Sequence, residues 1–233
     1  MENISKSFNA YVLTLFPEIF PGSLGVSVIG QALKKKIWQL QTINIRNFAT
    51  DKHNTVDDSP YGGGAGMVMR PDIIELALKS LPEFHGPRIC LSPRGPRLTQ
   101  SKVKKLSLEK GLVLLCGRYE GIDQRIIDYY KFEELSIGDY ILSGGETAAI
   151  VLLESVIRLL PNVLGGTETL KEETFSNNSL LEYPHYTRPR EWNGLKVPDV
   201  LTSGDHKKIK DWRDEKRIEL TKKIRSDLLL KNN

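Results

Sequence analysis

Three stretches of the chain combine glycine with polar and aromatic side chains: Leu91-Ser-Pro-Arg-Gly95, Cys116-Gly-Arg-Tyr-Glu-Gly121 and Ile137-Gly-Asp-Tyr-Ile-Leu-Ser-Gly-Gly-Glu146. Each follows or flanks a short apolar run. Corners of this kind lie at the carboxyl ends of strands, where α/β sheets take up ligands. Glycine lets a ligand approach the backbone, whose N–H and C=O groups can pair with the edge of a base such as adenine. One such corner alone reads as an ordinary tight turn; three with this chemistry point to a composite site. Other sites are excluded by their missing patterns. Tyr61-Gly-Gly-Gly-Ala-Gly66 fits neither the dinucleotide nor the P-loop fingerprint. The four histidines match no zinc spacing, and no serine or cysteine sits in a nucleophile elbow.

The elements that must hold these corners alternate. Tyr11 to Phe16, Thr42 to Arg46, Arg88 to Ser92 and Leu112 to Cys116 read as strands, and a further short strand is expected around Asp139 to Leu142. Between them, helices are expected at Val26 to Lys36, Pro71 to Leu81, Thr99 (as N-cap) to about Lys110, and within Arg118 to Tyr130. Asp51 to Met69 reads as a long loop. Thr147 to Leu160 is apolar nearly all round, a core or interface helix with Arg158 late in it. Strand and helix alternation argues for a mainly parallel α/β sheet. The texture then changes. An α/β domain at 1–164, a polar linker at 165–180 and a small helical domain at 181–233 are the units expected. In the last, Asp205 to Leu230 is helical, with Ile209, Trp212, Leu220, Ile224 and Leu228 on a shared face.

The chain has 233 residues, 39% hydrophobic and 27% charged, with net charge +4. From Gly204 onward there are 10 Lys/Arg and 6 Asp/Glu, a balance of +4 that equals the charge of the whole chain. That tail suits either a solvated helix or a polyanionic partner. No apolar run spans a bilayer and no secretory signal is seen, so no membrane association is expected. The two cysteines, Cys90 and Cys116, lie in apolar runs as free thiols, which fits a reducing cytoplasm.

Taken in order, Asp51-Lys-His53, Thr55-Val-Asp-Asp58, Pro60-Tyr-Gly-Gly-Gly64, Leu91-Ser-Pro93, Cys116-Gly-Arg-Tyr-Glu-Gly-Ile-Asp123, Ser136-Ile-Gly-Asp-Tyr140, Gly144-Gly-Glu146 and Pro184-His-Tyr-Thr-Arg-Pro189 make a pattern. It resembles that of the bacterial tRNA (guanine-37-N1)-methyltransferases, from about Val12 to about Arg213. The resemblance implies a fold that alternation alone does not: a SPOUT-type α/β domain, its sheet mainly parallel and tied in a deep trefoil knot, plus a small C-terminal helical domain. Topology rules would favour an unknotted sheet.

The resemblance further implies S-adenosylmethionine as cofactor, with magnesium also implicated, tRNA as substrate through its anticodon stem-loop, and a homodimer with a shared active site. Its cofactor pocket corresponds to Leu91, Ser92 and Pro93; Gly117, Tyr119, Glu120 and Gly121; and Ile137, Gly138, Asp139, Tyr140, Ile141, Leu142, Gly144 and Gly145. Guanine N1 carries a hydrogen, so the reaction needs a general base and gains from a cation near O6. The family's base, an aspartate, falls on Glu173, with Glu172 beside it as the alternative; its O6-stabilising arginine falls on Arg158. Ala148 stands where the family often has proline, and Glu182 where some members place an aspartate near the guanine. Candidate tRNA contacts are Asp51, Lys52, His53, Glu182, His185, Arg188, Lys207 and Arg213.

Overall fold

The structure is a computed structural model that describes residues 7–165, 173–175 and 180–229. The alternative base Glu172 and most of the expected linker lie outside the described residues. The chain divides into two compact units, Met1–Gly165 and Gly166–Asn233.

The first unit runs β1 (Phe8–Thr14), α1 (Ser27–Lys34), β2 (Trp38–Asn44), β3 (Asp57–Asp58), β4 (Val68–Met69), α2 (Pro71–Lys79), β5 (Arg88–Leu91), α3 (Gln100–Ser107), β6 (Gly111–Cys116), α4 (Gln124–Tyr129), β7 (Glu133–Leu135) and α5 (Glu146–Ile157). Five strands form one sheet in the order β2-β1-β6-β5-β7, and every pairing in it is parallel. β6, Gly-Leu-Val-Leu-Leu-Cys, is buried at every position, as a central parallel strand covered on both faces must be. Its side chains alternate between two cores. Leu112, Leu114 and Cys116 join Ala10 and Val12 under α1, α3 and α5. Val113 and Leu115 join Leu13 and Cys90 under α2 and α4. Close approach of β6 to β1 demands glycine at its start: Gly111 has φ +155°, and a Cβ there would lie 2.1 Å from the Asn9 carbonyl oxygen.

Thr99 caps α3, its Oγ1 accepting from the Lys102 amide at 3.2 Å. The loop expected at Asp51 to Met69 contains the two-residue pair β3 and β4, antiparallel to one another. The expected strand around Asp139 to Leu142 is not one. The fifth strand is β7, whose Glu133 and Glu134 sit at the sheet edge, where Lys102 and Arg94 serve as their cations. Ile141, apolar but 81% exposed, belongs to a loop.

In the second unit, β8 (Glu191–Trp192) and β9 (Leu195–Lys196) form a hairpin. Its two-residue turn, Asn193-Gly194, has φ of +49° and +77°. Positive φ at both positions matches the strand twist and favours this residue pair. α6 (His206–Ile224) is capped by Asp205, which accepts from the Lys208 amide at 3.1 Å. Ile209, Trp212 and Leu220 are half-buried and Leu228 is buried. Ile224 is 62% exposed, against expectation. Thr221, three residues before it, takes the inward place, with its Oγ1 donating to the Arg217 carbonyl at 2.7 Å and accepting from the Leu181 amide at 2.9 Å.

Candidate functional site

At the carboxyl ends of β5, β6 and β7 the first unit encloses a cavity of about 340 Å³, within the range of small-molecule sites. Of the fifteen candidate cofactor residues, Leu91, Ser92, Pro93, Gly117, Tyr119, Glu120, Gly121, Ile137, Gly138, Tyr140, Ile141, Leu142, Gly144 and Gly145 line it. Asp139 does not; its carboxylate is held outside by Arg97, with Nε donating to Oδ1 at 2.8 Å.

Each corner is laced to its neighbour through backbone. The Ser92 amide donates to the Leu135 carbonyl at 3.0 Å, and Leu98 N to Ser136 O at 2.7 Å, which ties the first corner and the residues after it to the end of β7, where the third corner begins. Close passage is required here too, since a Cβ on Gly95 would meet the Glu134 carbonyl carbon at 2.4 Å. The second corner turns through Tyr119 (φ +58°) and Gly121 (φ +138°). It hangs from the loop before α2: Glu120 N donates to Met67 O at 3.0 Å, and Met69 N to Gly121 O at 2.9 Å. The third corner closes on the second through Gly145 N and Gly117 O at 2.9 Å. Gly145 must be small, because its Cβ would lie 2.8 Å from Cys116 Cα.

The lining thus mixes apolar walls (Leu91, Ile137, Leu142) with closely exposed backbone and two carboxylates, Glu120 at the second corner and Glu134, which pairs with Arg94 at 2.9 Å. That donor set fits a nucleoside bearing a flexible polar arm. Sequence reasoning missed Arg94, Arg118, Glu134, Ser136 and Ser143 among the lining residues. Arg94, Arg118, Ser136 and Ser143 lie inside the motifs quoted above, but nothing in the local pattern marks them as lining residues. Cys90 and Cys116 are buried free thiols. Burial pushes Cys90 up to about 12, and Cys116 upward as well, so neither is a nucleophile.

Arg158 sits at the C-cap of α5, half-buried. In the second unit, Glu173 begins a described stretch in which Thr174 Oγ1 accepts from the Glu182 amide at 3.0 Å. Phe175 lies under the Arg225 guanidinium at 5.8 Å. Glu182 in turn meets His185 Nε2 at 2.9 Å. Tyr183 stacks obliquely on His185, and Arg213 lies 4.8 Å over the Tyr183 ring. Arg188 and Lys207 are exposed. Asp51, in the first unit, spends its carboxylate on its own turn, accepting from His53 N, Thr55 N and Thr55 Oγ1 at 2.8–2.9 Å. These bonds, led by the Thr55 hydroxyl, hold its carboxyl below the ordinary value and leave Lys52 and His53 projecting into solvent.

A family model described as tRNA (Guanine-1)-methyltransferase TrmD matches residues 8–231. A protein of Rhodospirillum rubrum named tRNA (guanine-N(1)-)-methyltransferase is 56% identical over 222 residues, covering 95% of this chain and 92% of its own. One of the same name from Mesorhizobium japonicum is 56% identical over 225 residues, covering 96% and 97%. Another from Wolbachia pipientis is 54% identical over 226 residues, covering 96% of each.

Proposed function

Because the chain belongs to the tRNA (guanine-1)-methyltransferase family, we propose that it transfers a methyl group from S-adenosylmethionine to N1 of guanine 37 in tRNA, beside the anticodon. The observation that carries the reading is the cavity walled by three glycine-bearing corners at the ends of β5, β6 and β7, in a chain matched nearly end to end.

S-adenosylmethionine, when bound, supplies a methyl group on a sulfonium, already activated for in-line displacement. What remains for the chain is to orient, to exclude water and to move one proton. Leu91, Ile137 and Leu142 offer apolar walls to a purine, and the glycine corners offer backbone groups to its edge. Glu173 accepts the N1 proton of guanine, and Arg158 stabilises the negative charge that grows on O6. Magnesium would find few ligands in the chain: among the described residues no three His, Cys, Asp or Glu side chains converge. An ion held by Glu120 would take its remaining ligands from the bound cofactor and water, the usual habit of magnesium.

The same reading gives the chain a trefoil knot in the domain 1–164, a linker at 165–180 and a tRNA-binding domain at 181–233. Anticodon-loop bases can be splayed and read without melting a duplex. Lys207, Arg188 and His185 with Arg213 and Glu182 in the second unit, and Asp51, Lys52 and His53 in the first, are the proposed tRNA contacts. A homodimer with a shared active site is included; an apolar α5 that leaves Val151 41% exposed supports it. Among the described residues no helix is long and apolar enough to cross a membrane. Two buried thiols suit the cytoplasm proposed for the enzyme.

The test is methyl transfer from labelled S-adenosylmethionine to an unmodified tRNA with guanines at positions 36 and 37, beside the same tRNA with guanine 37 replaced. Transfer to the first alone, mapped to N1, is expected. Equal transfer to both would overturn the position, and no transfer with intact cofactor binding would overturn the enzymatic reading.

A further inference from the structure

Glu146 is 1% exposed, a carboxylate buried in a core otherwise almost wholly apolar. It is the first residue of α5, where the unpaired amides of a helix start favour negative charge. Its two oxygens serve two different elements. Oε1 accepts from Thr14 Oγ1, itself fully buried, at 2.8 Å. Oε2 pairs with Arg118 Nη2 at 2.9 Å. Thr14 Oγ1 also accepts from the Phe16 amide at 2.9 Å, which fixes the end of β1.

Arg118 makes two further contacts. Its Nη1 donates to the Ser143 carbonyl at 3.1 Å, and its guanidinium lies 4.3 Å over the Phe16 ring. A Cβ on Gly144 would fall 2.2 Å from Arg118 Nε, so the third corner is shaped around this cation. Arg118 belongs to the second corner and Ser143 to the third, and both line the cavity.

We propose that Glu146 is a positioning residue of the cofactor pocket: by anchoring Arg118, with Thr14 behind it, it holds the second and third corners at the spacing that S-adenosylmethionine requires. The inference rests on the cavity's being the cofactor site. A carboxylate is needed because Arg118 would otherwise be a half-buried cation held by a carbonyl and an aromatic ring with no counter-charge, and a buried ion pair deprived of one member leaves the other uncompensated. Loss of the anchor frees Arg118 to leave Ser143 and Gly144, and the corners part. Because the pocket is built largely from backbone, a shift of the corners moves the groups that would hold the cofactor.

The full-length protein is titrated with S-adenosylmethionine by calorimetry, and kcat and KM for cofactor and tRNA are measured in parallel, with thermal unfolding as the check on folding. Glu146→Ala should weaken cofactor binding about tenfold, and Glu146→Gln, which keeps the volume and one acceptor, at least about threefold. KM for S-adenosylmethionine should rise by a larger factor than kcat falls, with KM for tRNA unchanged. Thr14→Val should weaken cofactor binding in the parent and have no further effect on it in Glu146→Ala, since Thr14 acts through that carboxylate. A merely structural Glu146 would lower the unfolding temperature and leave cofactor affinity alone. A change below threefold in Glu146→Gln overturns the proposal; where that variant fails to fold, Thr14→Val is held to the same threshold. Leu142→Arg, which puts a charged chain into the cavity, separates the two readings. If it abolishes binding while Glu146→Gln does not weaken it, the anchor is refuted and the pocket stands; if it binds normally, the pocket itself is misplaced.

Discussion

The two units stand on different physical footings. Met1–Gly165 has a sheet buried on both faces, and its cavity corners are tied by backbone hydrogen bonds and a buried ion pair. In Gly166–Asn233, Thr221 and Leu228 are the buried side chains among the described residues, and caps, a tight hairpin, surface ion pairs and ring contacts stand beside them. A cavity for a small molecule needs a fixed shape, which only a packed interior supplies. A surface for a polyanion needs charge within reach and tolerates adjustment. The difference in construction matches the difference in proposed partner.

The comparison breaks most visibly where the chemistry is proposed to come from the lightly built unit. Glu173→Gln should lower kcat by about 10²–10⁴-fold with tRNA and cofactor binding retained, a general-base effect read in single-turnover methyl transfer. A drop under tenfold would return the base to Glu172. The core of the first unit comes next. Leu114, buried and central, should cost about 2–5 kcal/mol on change to Ala, read by urea unfolding, with cofactor affinity falling in step. In the second unit Thr221→Val strands the Leu181 amide and should cost about 1–3 kcal/mol, seen as faster hydrogen exchange in α6 with cofactor affinity untouched. If cofactor affinity also fell, the units would be coupled more tightly than their separate construction suggests.

Smaller effects concern charge. Lys207→Gln should weaken tRNA binding and flatten its log–log salt dependence by about one unit. Asp205, the cap of α6, is held below its ordinary value chiefly by the Lys208 amide. A carboxyl lowered on folding stabilises above its unfolded value of 3.8, and that contribution is lost as pH falls through the folded value. Asp205→Asn keeps a good cap and should blunt the acid-induced loss of α6 ellipticity below about pH 4.

What could be read beforehand follows the range of the interactions. β6 announces itself as an unbroken apolar run, and α3 by the hydroxyl at Thr99. β7 was hidden because Glu133 and Glu134 look unlike a strand until Lys102 and Arg94 are brought beside them. Asp139 to Leu142 has the texture of a strand and is a loop, paired with no strand of the sheet. Asn193-Gly194 is a hairpin signal, but its flanking strands of two residues show no alternation to support it. At the cavity, glycine corners carry a local signal and were legible. The Thr14–Glu146 contact spans 132 residues, and nothing in either neighbourhood points to the other.

β6 also constrains how the molecule comes into being. It lies between β1 and β5, both of which precede it in the chain. A polypeptide emerging from its N-terminus holds β1, β2 and β5 before Gly111 exists, and until then neither β1 nor β5 has β6 to pair with. Pairing across long sequence separation is slow, and open apolar edges invite association with other chains. The last central strand to arrive is also the most apolar, so nascent chains stalled just short of Gly111 are the species most in need of a chaperone.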